Sequence, residues 1–382
     1  MLPSVLAACL ALFALAPAAQ ERAAPRAELG VRAQERLAAF VAAARVPGVS
    51  AGIADEHDSL ALAAGKRARA AETPLAPDDL LCAGSTGKTF VAAVVLQLVQ
   101  EKKLALDELA GEYLGANEWF EHLPNASELT LENLLAHRSG LPRYEFQPAF
   151  TRDLVAEPER VWKPEELLAY VQGLAPMVAA DQGFAYADTN YIVLGMIVER
   201  VTGAKLYAEV ERRLLRPLAL AHVRPQDGRV IPGLVQGHAG PHDPLGLPEL
   251  VLDEHGRFCV NPQFEWAGGG FVSSGGDLAR WARALYGGDV LGSELRARML
   301  DGKPAPELGS GVAYGLGAIV WKTPHGTAVG HDGFFPGYMS AMRYWPEHRI
   351  AVAVQVNTSE FAALPYPLGR LCDELLGLAL PE

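Results

Sequence analysis

The segments that read as β-strands lie at the two ends of this 382-residue chain, and that distribution constrains the fold more than any other feature. Val49 to Ala54 reads as a strand and Ser59 to Ala64 as its hairpin partner across a polar turn. Gly315 to Lys322, Thr327 to Gly330, Tyr338 to Tyr344 and Ile350 to Val356 read as further short strands separated by turn residues. Residues 100–260 between them carry mostly helical patterns broken by Pro/Gly loops, and Val230 to Gly256 reads as irregular. Ala33 to Ala44 has helical spacing closed by Pro47-Gly48, Phe90 to Val99 is apolar nearly all round, and Leu368 to Leu378 follows the start signal Pro367. The expectation is an α+β fold over residues 31–380. One antiparallel sheet is drawn from both termini and covered by helices, and a mainly helical lobe is inserted. An active site would lie between sheet and lobe.

The ends and the charge narrow the classes. Residues 1–19 are uncharged, with an apolar stretch from Val5 to Leu15 and a small-x-small pattern at Ala16-Pro17-Ala18. They read as a signal peptide for export to a periplasmic or extracellular compartment, too short to span a bilayer comfortably. Leu6-Ala7-Ala8-Cys9 resembles a lipoprotein box but stands too early. Residues 20–30 read as a flexible lead-in. A net charge of −12 argues against nucleic acid as a partner, because phosphate binding needs clustered Lys and Arg. Cys82, Cys259 and Cys372 show no metal-ligand spacing and read as small buried apolar residues, with one disulfide left open. No metal or cofactor is expected. Asn125-Ala126-Ser127 and Asn357-Thr358-Ser359 match the glycosylation pattern.

Gly84-Ser85-Thr86-Gly87-Lys88-Thr89 opens the buried helix. Gly87-Lys88-Thr89 looks like the end of a phosphate-binding loop, but that loop needs a Gly five positions before Gly87, where Cys82 stands. The other reading is Ser-x-x-Lys. Residues three apart share a helix face, so Lys88 can reach the Ser85 hydroxyl, take its proton or stabilise the alkoxide. The helix N-terminus adds positive potential beneath it. Alone, the pattern is also that of a Ser cap with a solvated Lys.

Two later elements change the balance. Tyr186-Ala187-Asp188 precedes the apolar helix from Ile192 to Val201, and His331-Asp332-Gly333 precedes Phe334 near the C-terminal strands. With these three ordered motifs the chain resembles the serine β-lactamase-related superfamily: class C β-lactamases, DD-peptidases, D-aminopeptidases and related esterases. Two further phrases match, Leu134-Leu135-Ala136-His137-Arg138-Ser139-Gly140-Leu141, and Gly268-Gly269-Gly270 leading to Ser274-Gly275-Gly276-Asp277-Leu278. The resemblance covers roughly residues 35–375.

The resemblance implies roles. Ser85 is the nucleophile, and Lys88 and Tyr186 share the proton work. A lysine cation would lower the Tyr186 pKa so that the phenolate activates water. The oxyanion hole uses the backbone N–H groups of Ser85 and Phe334. Asp188, His331, Asp332 and Gly333 contact substrate or line its site, with His331 helping to hold charge near Tyr186. Asp188 has an alternative role as a helix cap. Lys322-Thr323 is a decoy for the third motif, because Pro324 follows it. His137 and Gly268–Gly270 read as scaffold.

Two departures bear on substrate. Asp188 stands where Asn is usual, and His-Asp-Gly replaces the Lys-Thr-Gly of the lactamases. Extra carboxylates would repel a β-lactam carboxylate. The expected activity is an exported serine hydrolase acting on a small-molecule or short-peptide acyl substrate, an ester or a small amide. DD-carboxypeptidase, class C-like β-lactamase and an inactive binding protein on the same fold are the alternatives. Oligomeric state and natural substrate are left open.

Overall fold

The structure is a computed structural model that describes residues 16–241 and 243–381. The strands in chain order are β1 (Gly48–Ala54), β2 (Ser59–Gly65), β3 (Leu81–Cys82), β4 (Val223–Pro225), β5 (Phe271–Ser273) and β6 (Lys303–Pro304). They continue as β7 (Ala313–Tyr314), β8 (Ile319–Thr323), β9 (Gly326–Phe335), β10 (Tyr338–Trp345) and β11 (Ile350–Val356). Eight of them form one sheet in the order β2-β1-β11-β10-β9-β8-β7-β6. The join between the two ends of the chain is the antiparallel pair β1–β11, with Val49 opposite Val356 and Ile53 opposite Val352.

Both faces of this sheet are covered, which is why β1 and β10 are buried at every position. Val352, Val354 and Val356 pack with the helices Ala16–Ala43 and Leu368–Ala379. Ala351, Ala353 and Met342 belong to the core on the opposite face, with Leu278 and Trp281 of the helix Gly275–Gly287. In the C-terminal helix Leu368, Leu371, Cys372, Leu375 and Leu376 are buried, the spacing of one helical stripe. Each buried Leu there contributes about 1.5–3 kcal/mol. Small residues set the approach on the other face: a Cβ on Gly52 would lie 2.3 Å from the Gly275 carbonyl oxygen.

The lobe from residue 100 to 260 is mainly short helices packed around the buried helix Lys88–Gln100 and the helix Asp188–Thr202. It also supplies β4 to a three-stranded sheet of order β3-β5-β4, which the sequence reading missed because each strand has two or three residues. Three expectations need correction. Residues 20–30 are helical within Ala16–Ala43 rather than a lead-in. Ala, Glu and Arg favour helix, and Arg26 fastens this end to Asp55 and Asp58 in the β1–β2 turn at 2.8 and 2.9 Å. The strand expected over Gly315–Lys322 starts only at Ile319, because Gly317 turns with φ +79° against Ala92. Finally β9 continues past Gly330 to Phe335, so the third motif lies inside a strand. The expected signal peptide lies largely outside the described residues. No described helix is long and apolar enough to cross a membrane.

Candidate active site

Ser85 lies in a single 3₁₀ turn, Gly84–Gly87, that runs directly into the helix Lys88–Gln100. In such a first turn the N–H of Ser85 has no intrahelical acceptor. Hydroxyls pin the turn to the sheet. Thr86 Oγ1 and Ser340 Oγ are 2.7 Å apart, and Ser340 donates to the Ala83 carbonyl at 2.7 Å. Behind it, Thr89 donates to the Thr86 carbonyl and accepts from Trp281 Nε1. Glycines set how closely β9 approaches. A Cβ on Gly333 would lie 2.0 Å from the Ala83 carbonyl oxygen and 2.3 Å from Ser340 Oγ. Gly84 has φ +54°, and a Cβ there would lie 2.7 Å from the Phe334 nitrogen. The two backbone groups expected to form an oxyanion hole therefore come from adjacent segments. Gly333 sets backbone spacing.

Lys88 is fully buried, and its ammonium meets three oxygens. It donates to Ser85 Oγ at 3.0 Å and to the Gly268 carbonyl, and it lies 2.6 Å from Asp188 Oδ1. The Asp188 contact is a buried ion pair, Coulombic first with a hydrogen-bond part. Burial opposes the charge on Lys88. The Asp188 carboxylate, with Tyr186 and Glu265 near by, outweighs it and raises the pKa. Lys88 is thus a permanent cation in the free protein, not a free amine base. Gly268–Gly270, read from sequence as scaffold, supplies one of the three Lys88 ligands and presses Gly269 against Gly87.

Tyr186 faces the same point. Its ring lies beneath Lys88 Nζ, 5.0 Å from the centroid, and packs at a tilt of 33° on His137, 4.0 Å between centroids. Its hydroxyl is enclosed and makes no directed hydrogen bond. Ser85 and Lys88 are near enough to favour the ionised form. The expected lowering of its pKa is not what results. Burial pushes the phenol up, Lys88 pulls it down, and Asp188 pushes it up again, so the net direction is upward. Tyr186 is a neutral phenol at rest. His137 is fully buried with φ +53°. Its Nδ1 accepts from the Ala187 N–H and faces Asn190 Nδ2 at 2.8 Å, so this ring fixes Tyr186 as well as a turn.

The substrate-contact residues separate. Asp188 is the first residue of its helix, makes no capping bond, and is buried against Lys88 away from the cavity. It is neither the substrate contact nor the cap that its position suggested. His331 does line the cavity. Its Nδ1 faces the Asp332 carbonyl at 2.6 Å, which can only accept, so Nδ1 carries the proton and Nε2 accepts from Tyr314 at 3.0 Å. Burial and the Lys88 cation bring its pKa down to about 4. It is uncharged at neutral pH and does not supply the charge expected near Tyr186. Asp332 points to the opposite face of β9, where Arg343 holds it in a two-pronged pair at 2.7 and 3.0 Å. Lys322 and Thr323 lie at the far end of the β8–β9 hairpin, as befits a decoy. Cys82, Cys259 and Cys372 are free thiols. Asn357 is buried and donates to three carbonyls, and Asn125 donates to two. Both amides are engaged in holding the fold.

Sequence reasoning missed Arg143, Glu145 and Glu265. Arg143 lines the cavity, with its guanidinium 5.5 Å from the Tyr186 ring centroid and its Nε on Glu145. Burial beside Asp188 brings Glu145 up to about 7, against the pull of Arg143. Burial also raises Glu265 far above the carboxylate range. None of the three lies within a recognised motif, and only the tertiary fold gathers them around Asp188.

A sheet closed by both chain ends, with a Ser-Lys turn sealed against a helical lobe, defines a class: hydrolases that work through an active-site serine. Residues 33–367 match the family described as Beta-lactamase, and the chain belongs to that family. Among curated relatives, the unguisins hydrolase ungD' of Aspergillus campestris is 27% identical over 332 residues, which cover 82% of this chain and 59% of that protein. The chain spans about three fifths of the length of the first curated relatives it matches. Penicillin-binding protein 4 of Amycolatopsis lactamdurans is 26% identical over 367 residues, 91% of each chain. Among solved structures, a D-stereospecific amidohydrolase from Streptomyces superposes with a TM-score of 0.74 at 27% identity, covering 86% of this chain and 94% of that one.

Proposed function

We propose that this chain is an exported serine hydrolase that cleaves an ester or small amide through an acyl-enzyme on Ser85, rather than an efficient β-lactamase. The observation that carries this reading is the row Ser85–Lys88–Asp188, with contacts of 3.0 and 2.6 Å. It has the logic of a nucleophile, a proton carrier and an orienting carboxylate. In acylation Ser85 Oγ bonds to the carbonyl carbon. Its proton passes to Lys88 as Lys88 passes one to Asp188. Tyr186 protonates the departing oxygen or nitrogen as that bond breaks. Backbone N–H groups of Ser85 and Phe334 stabilise the oxyanion, a kind of contribution worth about 10²–10³ in rate per donor. In deacylation the Tyr186 phenolate takes a proton from water. The hydroxide bonds to the acyl carbon, and Ser85 departs with the proton returned from Asp188 through Lys88. Both protons are restored at the end of the cycle.

His331 is uncharged, and Arg343 is engaged by Asp332. The third motif therefore offers no free cation for the carboxylate of a β-lactam. One observation favours a second reading. Arg143 lines the cavity beside Tyr186 with its outer nitrogens unclaimed by Glu145, so a carboxypeptidase acting on a D-Ala-D-Ala peptide would have an anchor there. Labelling with a serine-directed phosphonate tests the nucleophile, and an adduct at Ser85 that is lost in Ser85→Ala is expected. Nitrophenyl esters, a D-aminoacyl anilide, a D-Ala-D-Ala peptide and a chromogenic cephalosporin then rank the substrates. Absence of the adduct makes this an inactive binding protein. Efficient cephalosporin turnover lost in Ser85→Ala overturns the substrate assignment.

A further inference from the structure

The catalytic residues line only one end of a cavity of about 800 Å³, which continues past Phe334 to the segment before and into the C-terminal helix. That size suits a small organic ligand. Side chains on a strand alternate between faces. Along β9, His331 and Gly333 face Ser85, while Asp332 and Phe334 face the other way. The neighbouring strand β8 stops pairing at Ile319 opposite Gly330. From His331 onward the edge of β9 is not covered by β8, and the cavity crosses it there.

The far end is apolar. Trp321, Phe334, Phe361, Leu364 and Leu368 make most of its wall, with the Asp332–Arg343 pair and Tyr366 at its margin. Phe361 is 68% exposed, and its ring lies parallel to that of Phe334, 3° between planes and 5.9 Å between centroids. This exposed ring joins Phe334 and Trp321 in one continuous apolar wall, the kind of surface that gains from an apolar partner. Its base is rigid: Thr358 and Ser359 donate to the carbonyls of His238 and Ala239, and Ser359 accepts from the Gly337 N–H. The polar groups at this end are already engaged. Arg343 lies over the Trp321 ring at 3.3 Å and pairs with Asp332, and Tyr366 donates to Glu374.

We infer that the cleft bounded by Phe334, Phe361 and Trp321 is a subsite for an uncharged aromatic or long apolar substituent of the substrate, entering over the open edge of β9. The inference rests on the proposed acyl-enzyme reading and adds the chemical class of the substituent. Two series of compounds test it on the full-length protein. One is nitrophenyl phosphonates bearing an ethyl, hexyl or phenylethyl group, read as the rate of nitrophenol release on inactivation. The other is nitrophenyl esters of matching acyl groups. In the wild type the rate constant rises with apolar size. In Phe361→Ala the phenylethyl-over-ethyl ratio falls about tenfold, the factor for losing one ring face against a ligand ring, while the ethyl compound reacts as before. Phe361→Leu restores part of the ratio. Phe361 is on the surface, so these variants leave the core intact. Ratios unchanged in Phe361→Ala and Trp321→Ala, or a uniform loss across each series, overturn the subsite while labelling of Ser85 persists. No phosphonate reaction at Ser85 in the wild type instead refutes the acyl-enzyme reading, and with it a substrate subsite here.

Discussion

Asp188→Asn puts the proposed proton path to a direct test, because it keeps shape and removes one charge. Full charges 2.6 Å apart attract by about 6 kcal/mol at an effective dielectric of ~20. Removing one partner of a buried pair typically costs about 3–5 kcal/mol. The amide retains an acceptor dipole, so a loss of about 3 kcal/mol is expected in urea unfolding at pH 7. The sign with pH follows from Lys88. Its folded pKa is raised, so its contribution to stability is complete below the ordinary lysine value of about 10.4 and is lost only as pH rises through the folded value. On the lysine side the wild type is therefore flat from pH 6 to 9, whereas in the variant burial lowers the Lys88 pKa and the deficit narrows as pH rises. Activity separates the roles. Without Asp188, burial favours the neutral amine, and Lys88 can accept the Ser85 proton only once it has lost its own. kcat/KM should fall at pH 7 by about 10²-fold or more. It should then climb with pH towards a plateau, while the wild type shows no such limb. A variant profile that descends with pH would mean that Lys88 works only as a cation. A profile superimposable on the wild type would mean that Asp188 does not govern Lys88. Either result refutes the relay.

Two more variants probe the same cycle. Tyr186→Phe removes the acid of acylation and the base of deacylation, so turnover should fall by about 10²–10⁴. The loss should be smaller for the burst with a nitrophenyl ester, whose leaving group needs no proton, than for an alkyl ester or anilide, and equal losses would count against the assignment. Gly333→Ala forces a methyl group to within 2.0 Å of the Ala83 carbonyl oxygen. Separation of β9 from the Ser85 turn should lower kcat by about 10²-fold, the size of a lost oxyanion donor, with about 1–3 kcal/mol of destabilisation from overpacking. Steady-state kinetics and thermal unfolding check both.

Much of the architecture was legible because period-2 and period-3.6 patterns survive in segments of seven residues or more. β1, β2, β10 and β11 lie within a residue of their expected bounds, and the C-terminal helix starts right after Pro367. β3, β5 and β7, two or three residues each, leave no period to detect. The motifs identified Ser85, Lys88, Tyr186 and His331, and the structure brings all four around one point. Charge states were not legible. They depend on what burial does to each group, and Arg143, Glu145 and Glu265 come near Asp188 only through the fold.

The two acidic departures from the lactamase pattern illustrate this. Read in sequence, Asp188 and Asp332 are two carboxylates set to repel an anionic substrate. In the structure each has its own cation: Asp188 faces Lys88, and Asp332 is gripped by Arg343 on the other side of the strand. The repulsion therefore largely cancels, and the proposed discrimination against β-lactams rests on a different term. Asp188 occupies Lys88, Asp332 occupies Arg343, and His331 is neutral. The third motif therefore has no free cation for a lactam carboxylate, which leaves Arg143 beside Tyr186 as the available anchor, while the adjoining wall of Trp321, Phe334 and Phe361 gains from contact with carbon. An anionic substituent would lose its hydration there without receiving a charge in return, a cost of several kcal/mol for a desolvated ion. An apolar one of similar size would gain on the order of 25 cal/mol for each Å² covered. On the proposed reading, substrate preference follows from the cations that Asp188 and Asp332 engage and from the apolar wall left beside them.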